Sequence, residues 1–364
     1  MILRLTSPIL LLLIAACIPT PEVNTKSPAQ PAESPQVAAL VKNASSVSDS
    51  VPVTTQPTST NFDRWLEQLA TEARAQGISE TTLEDALTGL KPIPQAAKAA
   101  KTQAEMVFTT SRYLERMVSQ DRVRKGALQM REKRALFERI SEVYGVQPQY
   151  LAALWGVESD FGRDKGRFPI IGALATQAWD GRRQDFFRRE LLAALTILDE
   201  EQMKSADLRG SWAGASGQFQ FIPTTYLHYA VDFNEDGKRD IWHNPEDALA
   251  SAANFLAKAR WKPGQEWGRP IHLPNGFDVT LGGLDTRKPL KEWRRLGIAE
   301  AGGPDDLPAS LLLPDGPEGP AFLVFDNFQV LRRWNRSSSF ALAIGHLADR
   351  IKTEIQLQAA KDEQ

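Results

Sequence analysis

The chain has 364 residues, with 43 Lys and Arg against 45 Asp and Glu and a formal net charge of −2. That length suits two to three domains, and the near-neutral balance gives no global positive field with which to hold nucleic acid. The single cysteine, Cys17, excludes an internal disulfide and a cysteine-built zinc site. The four histidines, His228, His243, His272 and His346, lack the spacing that sets two metal ligands on one helical face.

Residues 1–16 carry one basic residue, Arg4, and an apolar run from Ile9 to Ala16 that is too short to span a bilayer and has the anatomy of an export signal. Ile14-Ala-Ala-Cys17 resembles a bacterial lipobox, in which the cysteine becomes an acylated N-terminus; an ordinary signal peptide ending near a cysteine is the other reading. Ile18 is not the aspartate that retains such lipoproteins at the inner membrane. The resemblance therefore implies a lipid anchor on the periplasmic face of the outer membrane of a Gram-negative bacterium. From Ile18 to Thr60, Pro, Ser and Thr supply 20 of 43 residues and aromatics none, so residues 17–60 read as a lipidated cysteine and a flexible tether.

Residues 61–140 read as a helical domain, with Phe62, Trp65, Leu66 and Leu69 at helical spacing and a stretch rich in Arg, Glu, Leu and Ala up to Ile140. The next segment opens at Pro148, suited to a first helical turn, and closes at Gly162, suited to the position after a helix end. On that short helix Leu151, Leu154, Trp155 and Glu158 share one stripe. A carboxyl placed so is desolvated, which raises its pKa and equips it to donate a proton near neutral pH. The competing reading is a glutamate paired with Arg163 or Arg167. Asp160 faces elsewhere, and Asp164, Asp180 and Asp185 are second carboxylates by number only.

Helical patterns recur at 190–204 and 245–260, and β signals lie at Ile271 to Leu284 and Ala321 to Phe325. Between them, Gly210 to Tyr226 joins small residues to Ser211, Gln218 and Gln220 as uncharged hydrogen-bonding groups, with Trp212 and Phe219 as flat faces. Sugars need that mixture. A serine-hydrolase elbow is set aside, because Gln218 stands where its last glycine belongs. Asp232, Asn234, Asp236 and the Lys238 carbonyl fit the first half of a calcium loop, with Gly237 at its sharp turn. Position 12 is His243, so Glu246 or Asp247 must close such a site; an Asx-rich turn without metal is the alternative.

Gly156-Val-Glu-Ser-Asp-Phe-Gly162, Gly210 to Tyr226, Val231 to Gly237 and Asn327 to Ser337, taken in order, resemble the membrane-bound lytic murein transglycosylase B family over residues 61–364. The resemblance implies a mainly α (α+β) fold: a lysozyme-like helical core at 141–268, the flanking helical domain, a small β-containing domain at 269–320, and a C-terminal segment, 321–364, returning to the core. It maps the single catalytic acid to Glu158, active-site polar groups to Ser211 and Gln220, and cleft residues to Phe255, Trp334, Asn335 and Ser337. Trp334 and Phe255 stand where the family has tyrosine.

What the resemblance implies is cleavage of the β-1,4 bond between N-acetylmuramic acid and N-acetylglucosamine in peptidoglycan without water, giving 1,6-anhydromuramoyl ends. Glycan strands are then the partner, and the chemistry requires no cofactor, with calcium as a structural ion. A hydrolytic muramidase on the same fold and a non-catalytic peptidoglycan-binding lipoprotein are the alternatives.

Overall fold

The structure, a computed structural model, describes residues 59–104 and 109–362. The export signal, Cys17 and nearly all of the expected tether lie outside the described residues. Six helices open the fold: α1 (Ser59–Ala75), α2 (Glu80–Leu87), α3 (Pro94–Ala104), α4 (Thr110–Met117), α5 (Gln120–Glu132) and α6 (Arg134–Tyr144). The first thus begins two residues inside the segment expected to be tether. Side-chain caps start several of them: Ser79 accepts from the Thr82 amide, Thr109 from that of Arg112 and Ser119 from that of Arg122.

The next helix, α7 (Pro148–Ser159), holds the centre of the molecule. Pro148 occupies its first turn as the sequence suggests. It ends differently: Asp160 and Phe161 take left-handed backbone conformations, with φ of 49° and 62°, before Gly162. Tyr150, Leu151, Leu154 and Trp155 are all buried, and each large apolar side chain removed from water contributes about 1.5–3 kcal/mol. Around α7 pack α5, α6, α11 (Pro245–Lys258) and α14 (Ser338–Asp362).

After α7 the chain forms β1 (Phe168–Pro169), α8 (Ile170–Asp180), α9 (Gln184–Glu200) and β2 (Arg209–Gly210), with β1 and β2 paired antiparallel. This ribbon requires glycine on both sides. A Cβ on Gly166, where φ is +86°, would lie 2.3 Å from the Gly210 carbonyl, and one on Gly210 would lie 2.1 Å from the Ala215 oxygen. The chain then folds through α10 (Pro223–Tyr229) to α11. Glu190, 2% exposed on α9, accepts from the Thr224 amide and hydroxyl and so caps the start of α10.

A four-stranded antiparallel sheet of order β3-β6-β5-β4 follows, built from β3 (Gly268–Ile271), β4 (Lys288–Pro289), β5 (Pro308–Leu312) and β6 (Ala321–Val324), with α12 (Leu290–Arg295) after β4. Its own apolar cluster includes Trp293, Leu311, Leu323 and Phe325. Two expectations are corrected. Ile271 to Leu284 is not a strand: only Ile271 is paired, and the rest is loop with a short 3-10 turn at Val279–Leu281, because Pro274, Gly276 and Gly282-Gly283 interrupt it. The sheet also runs past 320, since β6 lies between β3 and β5. The chain returns to the helices only at α13 (Asp326–Trp334) and α14.

The sheet meets the helical core through polar contacts made in the interior. Trp267 is fully buried, its amide donates to Tyr150 Oη at 3.1 Å, and its indole N–H donates to Asp349 at 2.8 Å. Buried Asn327 bonds the backbone of Lys262 in both directions and the carbonyl of Gln265. These bonds fix the direction in which α13 leaves the sheet, and thus where its last residue, Trp334, arrives.

Candidate active site

Glu158 lies one residue before the end of α7, where it is part-exposed between part-exposed Val157 and buried Ser159, on a helix whose large apolar side chains are buried. Its Oε1 accepts a hydrogen bond of 2.7 Å from the indole N–H of Trp334. Burial raises the carboxyl pKa to about 8, and the indole bond, which favours the charged form, holds it from rising further. The ion-pair reading is corrected: Arg163 bonds Asp160 instead, and Asp160 also faces Lys125. Asp164 accepts from the Gly166 amide, while Asp180 and Asp185 are exposed.

The floor beneath this acid is aromatic. Trp334 meets Phe255 at 4.8 Å, Phe221 at 5.4 Å and Phe219 at 6.2 Å between ring centroids. Trp334, Phe255 and Phe219 are all at most 3% exposed. Their expected role as faces for a sugar is therefore corrected: they wall off the space under the acid and supply its low-dielectric surroundings. Without a phenol at 334, the indole N–H is the donor that reaches the acid. Gln218 and Asn335 are likewise buried. Gln218 lines a cavity of about 230 Å³ with Trp155, Phe161, Lys165 and Trp242, and Glu158 does not line it. Asn335 accepts from the Ser337 amide at 3.0 Å, turning the chain from α13 into α14.

Ser211, Gln220 and Ser337 are part-exposed, as substrate contacts need to be. Ser211 Oγ accepts from the Ala213 and Ala215 amides, which leaves its hydroxyl proton to donate elsewhere. Gln220 has a φ of 49°, and its side-chain nitrogen donates to the carbonyls of Lys165 and Gly217. It braces the ribbon that carries Ser211.

Two aromatic residues were not foreseen. Tyr113 on α4 is part-exposed, and its hydroxyl pKa is pushed up to about 12, first by burial and then by the nearby charge of Glu158. Tyr229, also part-exposed, ends α10 with its ring 4.7 Å from that of Phe255. Neither belongs to a motif, and only the packing of α4 and α10 brings Tyr113 near the charge of Glu158 and Tyr229 against Phe255.

Asp232 and Asp236 on the loop before α11 and Asp247 on α11 itself bring carboxylate oxygens within 4.8 Å of one another. Asp247, in the first turn of α11, is fully buried and accepts from the Phe233 and Asp240 amides. Its pKa is raised, first by burial, with the charge of Asp232 adding to it against the backbone bonds. Glu246 turns away to Arg139. Asn234 and the Lys238 amide both bond Asp236 within the loop. Three adjacent carboxylates with an all-oxygen donor set suit a hard cation.

Residues 61–349 match the family model described as the transglycosylase SLT domain. The chain is 32% identical over 254 residues to membrane-bound lytic murein transglycosylase B of Escherichia coli (strain K12), the alignment covering 66% of each protein. It is similar in structure to SltB3 of Pseudomonas aeruginosa, solved in complex with NAG-NAM-pentapeptide and also with NAG-anhNAM-pentapeptide, with a TM-score of 0.77, 43% identity, and coverage of 80% of this chain and 79% of that one. The Escherichia coli lytic transglycosylase Slt35 in complex with calcium gives a TM-score of 0.69 at 27% identity, over 81% of this chain and 93% of that one.

Trp334→Phe keeps the aromatic floor and removes the one donor assigned to the acid. The Glu158 pKa should then rise from about 8 by roughly one pH unit, the worth of a charge-assisted hydrogen bond. Carboxyl carbon NMR over a pH titration reads this directly, and an unchanged midpoint would show that the indole does not support the charged form.

Proposed function

The chain belongs to the transglycosylase SLT domain family, and from that premise we propose that it is a peptidoglycan lytic transglycosylase in which Glu158 serves as both acid and base. The observation that carries this reading is a largely desolvated carboxyl that accepts from the Trp334 indole at 2.7 Å, with its pKa raised by burial. With a pKa near 8, Glu158 is mostly protonated at neutral pH and protonates the glycosidic oxygen between N-acetylmuramic acid and N-acetylglucosamine. The carboxylate left behind is poorly solvated and therefore a strong base. It takes the proton of the muramoyl 6-hydroxyl as that oxygen attacks C1, giving the 1,6-anhydro product. An intramolecular nucleophile has an effective concentration of about 10⁵–10⁸ M when well oriented, which replaces the held water and second carboxylate of a hydrolase. Ser211, Gln220 and Ser337 are the polar contacts to sugar in this reading.

Asp232, Asp236 and Asp247 are proposed to hold a structural calcium ion between the loop and α11, in keeping with the calcium complex of Slt35. Bound there, calcium would offset the mutual repulsion of the carboxylates. Cys17 is proposed as a lipid anchor to the outer membrane, a reading that rests on its lipobox and on the membrane-bound relative in Escherichia coli.

Glu158→Gln should lower turnover at least about 10²–10⁴-fold, measured as release of anhydro-ended fragments, identified by mass, from purified sacculi. The same variant should be the more heat-stable protein. Because the acid holds its proton in the folded state up to pH about 8 and releases it at about 4.3 when unfolded, wild-type stability is lost progressively as pH rises between those values. The melting-temperature gain of Glu158→Gln should therefore grow across that window. Full activity in the variant would remove Glu158 from the reaction.

Calcium added to metal-free protein should raise the melting temperature, since a ion bound only by the folded state stabilises it by mass action, and Asp236→Ala should abolish the rise. A flat calcium titration of the unsubstituted protein would leave the loop as an Asx-rich turn. For the anchor, Cys17→Ser should move the protein from the membrane pellet to the soluble fraction; retention in the pellet would place the anchor elsewhere.

A further inference from the structure

Helix α4 has only eight residues; its start is held by groups distant in sequence and its end by the first turn of the next helix, α5. At its start, Asp315, in the loop between β5 and β6, accepts from the amides of Thr110 at 2.8 Å and Ser111 at 3.2 Å and from the Ser111 hydroxyl at 3.3 Å. Thr110 Oγ1 is also 2.9 Å from Ser339 Oγ, in the first turn of α14. At its end, the Arg122 guanidinium donates to the carbonyls of Arg116 and Met117 while its Nε donates to the Gly156 carbonyl at 3.0 Å. A negative charge at the start and a positive one at the end both match the helix dipole. Gly156 lies two residues before Glu158, so the same arginine joins α4 to the helix that carries the acid.

So short a helix has little stability of its own, and its position is set by these tethers. Tyr113 lies one turn after Thr110, on the part of α4 that Asp315 holds. We propose that Asp315 is a positioning residue for the reaction: by clamping the start of α4 to the small sheet, while Arg122 ties its end to the helix of Glu158, it fixes where Tyr113 stands relative to the acid. The sheet thereby acts on the chemistry without contacting the acid. This rests on the acid–base reading of Glu158.

The test compares kcat and KM on solubilised glycan strands, with melting temperatures, for Asp315→Ala, Asp315→Asn, Tyr113→Phe and the double variant Asp315→Ala with Tyr113→Phe. Asp315→Ala should lower kcat roughly tenfold, within the range known for a displaced active-site group, with little change in KM. Asp315→Asn should recover most of that loss, because its amide oxygen still accepts from the helix start. In the Tyr113→Phe background, Asp315→Ala should cost less than about twofold, since the group it positions is already gone. An equal loss in both backgrounds, or a kcat unchanged by Tyr113→Phe or by Asp315→Ala, overturns the proposal. Glu158→Gln measured alongside separates the two ideas: an inactive Glu158→Gln with any of those results removes the clamp and leaves the acid, whereas an active one removes the acid itself.

Discussion

One hydrogen bond, from the Trp334 indole to Glu158, joins helices that are 176 positions apart in sequence, and the arrangement of the core follows from keeping that carboxyl largely out of water. Burial of a carboxyl opposes folding as soon as it ionises, at a cost of a few kcal/mol. The apolar side chains of α7, each worth about 1.5–3 kcal/mol, more than offset it. What they cannot supply is a donor for the charged form. The indole N–H does this while leaving the ring in the aromatic floor with Phe219, Phe221 and Phe255.

Since Trp334 is the last residue of α13, its placement depends on everything that aims that helix. The Asn327 bonds to Lys262 and Gln265 fix its start, and the sheet from which it emerges is bound to the core through Trp267, Tyr150 and Asp349. The small β unit is thus linked to the acid through α13 as well as through the loop that holds α4. The aspartate loop is joined to the Ser211 ribbon in a similar way. The Gln218 amide donates to the Ile241 carbonyl, and the Trp242 indole donates to Ser216 Oγ. Order in the loop is therefore transmitted to the segment that would contact sugar.

Exposure separates the residues open to solvent from those that support them, and the aromatic residues show how far apart the two sets lie. Phe219, Phe255 and Trp334 are interior, whereas Tyr113 and Tyr229 are part-exposed. Phe219 and Trp334 lie in motifs, Phe255 is mapped through the family resemblance, and the last two come from neither. A motif marks chemical type at a given spacing. It is silent on which side of a packed layer the side chain ends.

Local periodicity determined much of this protein. The helices at 62–140, at Pro148 and at 245–260, and the stripe that joins Glu158 to Leu151, Leu154 and Trp155, are legible because a helix repeats every 3.6 residues and its apolar face must be buried. The oxygen donors of the 232–247 loop are legible because metal-loop spacing is local, although the choice of Asp247 over Glu246 came from the orientation of α11, which turns Glu246 to Arg139. The sheet was read only in part, because strands of two to five residues leave too short a pattern, and β4 and β5 are recognised by their partners. What surrounds the acid beyond its own helix was decided by tertiary structure alone. Neither Tyr113 beside Glu158 nor the indole of Trp334 beneath it follows from spacing, since each arrives on a separate helix whose direction is set by hydrogen bonds made far along the chain.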